Sequence, residues 1–154
     1  MNDLRTSMEI IEHVLKLNKY AVLSTEGNGQ PHTSLVAITL FENFRHLIFA
    51  TYRNTLKYRN LSLNNKVALL IDSRIANIET LQKSIVVTII GHTEEISKAE
   101  NETAYRAHLK RHPEMESFML SSDCVLFRVI AKSYQVVNGI DEVRWITAED
   151  LDHF

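Results

Sequence analysis

Cysteine is nearly absent. The single Cys124 leaves no intramolecular disulfide to form and favours a reducing compartment. Within Cys124-Val125-Leu126-Phe127 it reads as a packed thiol rather than a reactive one. Long apolar runs are missing too: none approaches the ~20 residues that span a bilayer. The opening Met1-Asn2-Asp3-Leu4-Arg5 has no basic stretch leading into an apolar core. Neither a membrane partner nor a signal peptide is therefore expected, and the expected location is cytoplasmic. Charge of one sign is not in excess, with 17 Lys and Arg against 19 Asp and Glu and a formal net charge of −2. Without a basic stripe, no nucleic-acid partner is expected. Gly-x-Gly-x-x-Gly phosphate loops, Gly-x-Ser-x-Gly elbows, internal repeats and linker-like segments are all lacking. What remains is a chain of 154 residues, read as one domain over 1–154, able to bury a core without disulfide or structural metal.

Periodicity gives the elements. Leu4, Met8, Ile11 and Leu15 form the stripe of an amphipathic helix, and Thr6-Ser7-Met8-Glu9 has capping-box spacing. Strands follow at Tyr20–Thr25, His32–Phe41 and His46–Thr51, with a turn at Glu26-Gly27-Asn28-Gly29. A short helix over Leu56–Leu63 leads to a strand at Lys66–Asp72. Residues 73–83 read as irregular, and Ser84–Glu95 as a long strand bulged at Gly91. Ser97-Lys98-Ala99-Glu100 reads as a capping box opening a helix that Pro113 ends. Glu116–Leu120 reads as a helical turn. Strands over Val125–Val137 and Glu142–Ile146 close the pattern around Asn138-Gly139.

Three strand segments are apolar on both faces: Leu35-Val36-Ala37-Ile38, Val67 to Ile71, and Ile85 to Ile90. A half-solvated antiparallel strand alternates instead. Helix is too scarce to cover both faces of a sheet, so a barrel is expected, with helices and a second copy of the chain over its outside. The expected class is mainly β with a few helices, an antiparallel split β-barrel acting as a homodimer.

The chemistry concentrates in Leu47-Ile48-Phe49-Ala50-Thr51-Tyr52-Arg53-Asn54-Thr55-Leu56-Lys57. An apolar strand runs into a polar loop, and a helix then opens with a lysine. Helix N-terminal amides attract an anion, Thr55 offers a hydroxyl, and Lys57 and Arg53 offer charge-assisted bonds. Residue types alone leave two readings open, a phosphate grip or a plain loop-to-helix connection with solvated cations.

Taken in order, Gly29-Gln30-Pro31-His32-Thr33-Ser34, Ile48-Phe49-Ala50-Thr51, Thr55-Leu56-Lys57, Asn60-Leu61 and Asn65-Lys66-Val67-Ala68-Leu69 resemble the pyridoxamine 5′-phosphate oxidase-like FMN-binding split-barrel family. The resemblance covers Tyr20 to Glu95, and Tyr134 to Val137 with Glu142 to Trp145 fits the closing hairpin. It implies FMN as cofactor, held at a dimer interface. Lys57 would bind the phosphate with Thr55 and Arg53 beside it, in the Thr55-Leu56-Lys57 motif. Ala50 and Thr51 would lie along the ribityl chain or ring, and Ser34, Leu35 and Val36 against the isoalloxazine. Trp145 of the second subunit would cover the flavin.

The sequence departs from the oxidase proper where that enzyme has an arginine matching Ser34, a lysine matching Thr39, a basic residue matching Leu56 and a glutamine matching Val86. Oxidation of pyridoxamine phosphate is therefore not expected, and an FMN-dependent oxidoreductase or flavin reductase with a small redox substrate fits better. The alternatives are a non-catalytic flavin or haem carrier, a deazaflavin in place of FMN, and a barrel whose dimer surface is its function. Asp72, Asp141 and Glu142 show no acid–base spacing, so no catalytic residue is assigned. His108 and His112 lie four apart as metal ligands can, but their basic neighbours disfavour a cation, and no metal is expected. His32, His46 and His92 read as strand-surface or barrel-mouth residues.

Overall fold

The computed structural model describes residues 2–42, 44–73, 85–139 and 141–153. The helix α1 (Asn2–Leu17) is followed by β1 (Tyr20–Gly27), β2 (Gln30–Ala37), β3 (Thr39–Phe41) and β4 (His46–Tyr52). Then come α2 (Leu56–Leu63), β5 (Lys66–Asp72) and β6 (Ile85–Ile96). After α3 (Glu102–Arg111), a 3₁₀ turn (Pro113–Met115) and α4 (Glu116–Leu120), the chain ends in β7 (Cys124–Asn138), β8 (Glu142–Thr147) and α5 (Ala148–Leu151).

All described strands join one antiparallel sheet in the order β2-β1-β5-β6-β7-β4-β3, with β8 also on β7. The two ends of that order, β2 and β3, are separated in the chain by Ile38 alone. The sheet must therefore curl until its edges meet, which is barrel closure. Ile38 leaves the ladder because its N–H donates to the Lys19 carbonyl at 2.9 Å and its carbonyl accepts from His112 Nε2 at 2.8 Å. The long β7 splits its pairing on one side: Cys124 to Ile130 face β4, and Ser133 to Asn138 face β8. The expected mainly β split barrel is what forms.

Side chains alternate into the barrel, so Leu23, Leu47, Phe49, Leu69, Ile89 and Val129 are fully enclosed. Phe49 and Phe127, paired across β4 and β7, stack at 5.3 Å. Helix α1 contributes Met8, Ile11, Val14 and Leu15 to the same core. A second apolar cluster, Ile48, Ala50, Ala104, Met119, Cys124 and Leu126, lies between the outer face of β4 and β7 and the helices α3 and α4. That is why β4 is apolar on both faces. Cys124 is a free, buried thiol whose pKa burial raises.

Several expectations on element bounds are corrected. Helix α1 begins at Asn2, so Thr6 and Ser7 lie inside it rather than capping it; Leu4 packs on the core as part of the expected stripe. Ser97 Oγ does accept from the Glu100 N–H at 3.4 Å, but this closes a turn, and α3 starts at Glu102. The expected strand His32–Phe41 is broken into β2 and β3 at Ile38. Helix α5 was not expected, although Thr147 and Asp150 form its capping box. The irregular reading of 73–83 falls almost wholly outside the described residues. The bulge at Gly91 is present, and a Cβ there would meet the Ile130 carbonyl. No described helix is long and apolar enough to cross a membrane.

Candidate functional site

The junction of β4 with α2 is organised by two threonines. Thr55 is the N-cap of α2, its extended backbone letting Oγ1 accept from the Tyr58 N–H at 3.3 Å. The same hydroxyl donates to the Tyr52 carbonyl at 2.9 Å and stands 3.1 Å from Thr51 Oγ1. The loop is thereby held against the last residues of β4, and the first N–H groups of α2 are left without intrahelical partners.

Lys57 follows in the first turn of α2. Among the described residues its ammonium has no hydrogen-bond or ion-pair partner, and partial burial lowers its pKa. A half-buried cation with no anion of its own beside a helix N-terminus is an incomplete electrostatic arrangement. It borders a cavity of about 300 Å³. Tyr20 and Leu35 to Ala37, Ala50 to Tyr52 with Thr55, and Met115 and Phe118 line it. The Tyr52 and Phe118 rings are 4.1 Å apart, and the Tyr20 hydroxyl donates to Glu114 Oε1 at 3.4 Å.

Six expected site residues, Leu35, Val36, Ala50, Thr51, Thr55 and Lys57, line this one cavity. The other four lie elsewhere in the chain. Arg53 is turned aside, its Nη1 donating to the Ser122 carbonyl at 2.6 Å, and it borders a separate cavity of about 570 Å³ beside Lys98 and Cys124. Leu56 is exposed outside the cavity. The Ser34 hydroxyl is buried without a partner, one residue out of phase with the exposed Leu35. Trp145 is 54% exposed on β8 and borders a groove with Lys132 and Glu149.

Tyr20, Ala37, Tyr52, Met115 and Phe118 were not among the expected residues. Tyr20 is the cross-strand partner of Ala37, so strand register was the available signal for both. Met115 and Phe118 arrive from far along the chain, and no local motif announces them. Thr39, which stands where the oxidase has a lysine, is buried with Oγ1 2.8 Å from His108 Nδ1. No group of three or more His, Cys, Asp or Glu among the described residues is placed to hold a metal ion.

A closed antiparallel barrel with a cavity where its fourth strand meets a short helix defines a split-barrel protein. The family model described as pyridoxamine 5′-phosphate oxidase matches residues 8–137, and the chain belongs to that family. No curated protein matches it in sequence. Solved structures resemble it closely in fold at low identity. A haem binding protein from Mycobacterium smegmatis superposes with a TM-score of 0.83 at 20% identity, over 95% of this chain and 60% of that one. This chain thus spans less than two thirds of that protein. A Clostridium acetobutylicum protein related to general stress protein 26 gives 0.74 at 14% identity over 94% and 96%. HutZ, the haem storage protein of Vibrio cholerae, gives 0.70 at 14% over 92% and 96%.

Proposed function

We propose that this chain binds FMN as a homodimer and serves as an FMN-dependent oxidoreductase or flavin reductase acting on a small redox substrate in the cytoplasm. The observation that carries the reading is Lys57, without a partner among the described residues, at the N-terminus of α2 and lining one cavity with Thr51 and Thr55. A phosphate there would take the Lys57 ammonium, the first N–H groups of α2 and a threonine hydroxyl. Leu35, Val36 and Ala50 would offer the apolar side against which a ring system packs. Bound FMN would supply the electron chemistry, and the protein its position and electrostatics.

The outer face of the sheet supports the dimer. Cross-strand pairing puts Leu35, Val22, Leu70, Thr88, Gln135 and Trp145 in a single row over β2, β1, β5, β6, β7 and β8. Leu35 is 70% exposed, Leu70 40% and Trp145 54%. A second copy laid on this row would bury the area they still expose, which stabilises by about 25 cal/mol per Å². At about 300 Å³ the cavity of one chain lies at the small end for ligand pockets, as half of a shared site would.

The second reading is haem. It is favoured by the fold likeness to the Mycobacterium smegmatis and Vibrio cholerae proteins. The described cavity lining offers tyrosine and methionine but no histidine or cysteine as an axial ligand. The test is a pair of spectral titrations of the purified protein, one with FMN and one with haem. Quenching of FMN fluorescence that saturates at one equivalent per chain is expected. A sharp Soret band with haem, with free-FMN fluorescence unchanged, would overturn the flavin reading in favour of the haem one.

A further inference from the structure

Outside the cavity, the most unusual chemistry is a pair of wholly buried histidines. His108 and His112 are both 0% exposed, with ring centroids 4.8 Å apart. Because a carbonyl only accepts, the contact of His112 Nε2 with the Ile38 oxygen at 2.8 Å makes Nε2 the protonated nitrogen. His112 Nδ1 is then left as a buried lone pair with no hydrogen-bond partner. The Glu114 carboxylate lies 3.7 Å away and is 52% exposed. That separation is too long for a hydrogen bond and close enough to become one after a small movement.

The other charged and titratable groups around the pair are few. His108 faces Thr39. Arg111 is committed to the end of α1, its Nη2 donating to the carbonyls of Leu15, Lys16 and Asn18. Lys19 and Tyr20 both act on Glu114, Tyr20 by its hydroxyl. Burial and the neighbouring positive groups hold His108 neutral down to about pH 3. Of the two rings, His112 is the one whose unpartnered nitrogen faces a carboxylate.

Glu114 is also where the pair meets the cavity. It lies in the 3₁₀ turn Pro113–Met115, whose last residue lines the cavity, and its carboxylate accepts from Tyr20, which also lines it. We propose that His112, Glu114 and Tyr20 form a proton-operated latch on the cavity wall. A proton on His112 Nδ1 gives the ring a second donor, Glu114 closes the gap to accept it, and the turn carrying Met115 moves with the carboxylate. The proton comes from water and returns to it; no covalent bond changes. Protonation also adds a positive charge beside the Glu114 carboxylate near the cavity, which favours an anionic ligand. That consequence rests on the flavin reading above; the latch itself does not.

The test is a pH titration of the unliganded, isotopically labelled protein by NMR between pH 5 and 8, where histidine charge ordinarily changes. The ring signal absent from His112→Gln assigns His112. In the wild type, the Met115 and Tyr20 signals are expected to move in step with that ring. In Glu114→Gln, Met115 and Tyr20 are expected to show no pH-dependent movement in step with the ring. Flat Met115 and Tyr20 signals in the wild type, a His112 ring that does not titrate, or unchanged co-movement in Glu114→Gln would each overturn the latch. A second arm measures FMN affinity of wild type against His112→Gln, so that the phosphate's own titration cancels in the ratio. The wild type is expected to gain several-fold over the variant from pH 8 to pH 5, and a ratio constant with pH overturns the coupling. Absence of FMN binding at every pH sinks the flavin reading and leaves the latch to be decided by the NMR arm.

Discussion

Lys57 and His108 show opposite uses of burial. The Lys57 ammonium is partly withdrawn from water with no anion paired to it among the described residues, so its charge is available to a ligand. His108 is withdrawn so completely that its ring stays neutral, with a pKa of about 3 against an ordinary 6.5. The unfolded chain takes up a proton at His108 near pH 6.5, and the folded chain refuses it until about pH 3. The stability this contributes is complete above the unfolded value and is lost as the pH falls. The loss amounts to about 1.4 kcal/mol per pH unit across that window. Replacing His108 with Gln should flatten the acid side of the stability profile by that slope, measured by denaturant unfolding at pH 6, 5 and 4. Parallel profiles for variant and wild type would show that His108 is not held neutral.

Among the elements, α2 is the one whose start fixes the site. The helix is short, and its first turn is secured by one side chain, Thr55. Thr55→Ala is expected to cost about 1 kcal/mol of stability by losing the cap, and to loosen Thr51, which shares that hydroxyl. Chemical denaturation reads the first effect. At Gly91, where β6 bulges against β7, alanine is expected to destabilise by about 1–3 kcal/mol because the new methyl meets the Ile130 carbonyl.

These elements differ in how far they could be read from sequence. Helix α2 and strand β5 were legible to the residue, since both are short, local patterns. The break at Ile38 was not, because the groups that take Ile38 out of the ladder, Lys19 and His112, are distant in sequence. The same reason hid Met115 and Phe118 in the cavity wall. Arg53 lies outside the cavity for a different cause: the Ser122 carbonyl holds its guanidinium. The start of α1 was misjudged because a capping-box spelling can occur within a helix.

At the scale of the molecule, the doubly apolar strands were a sound guide to the barrel. Helices α3 and α4 cover the outer face of β4, while the row from Leu35 through Leu70 to Trp145 stays open on the single chain. If a second copy covers that row, Leu70→Lys, which lies away from the cavity, should raise the dimer dissociation constant by about a hundredfold or more. Sedimentation velocity checks this, and a wild type that is monomeric at high concentration would contradict it.

The most direct test of the account is the FMN affinity of wild type and Lys57→Ala, measured beside riboflavin, which lacks the phosphate. The account predicts that FMN binding weakens roughly ten- to hundredfold in the variant, the worth of one charged hydrogen bond, while riboflavin binding is unchanged. An equal loss for both ligands, or no loss for either, would contradict a phosphate held by Lys57.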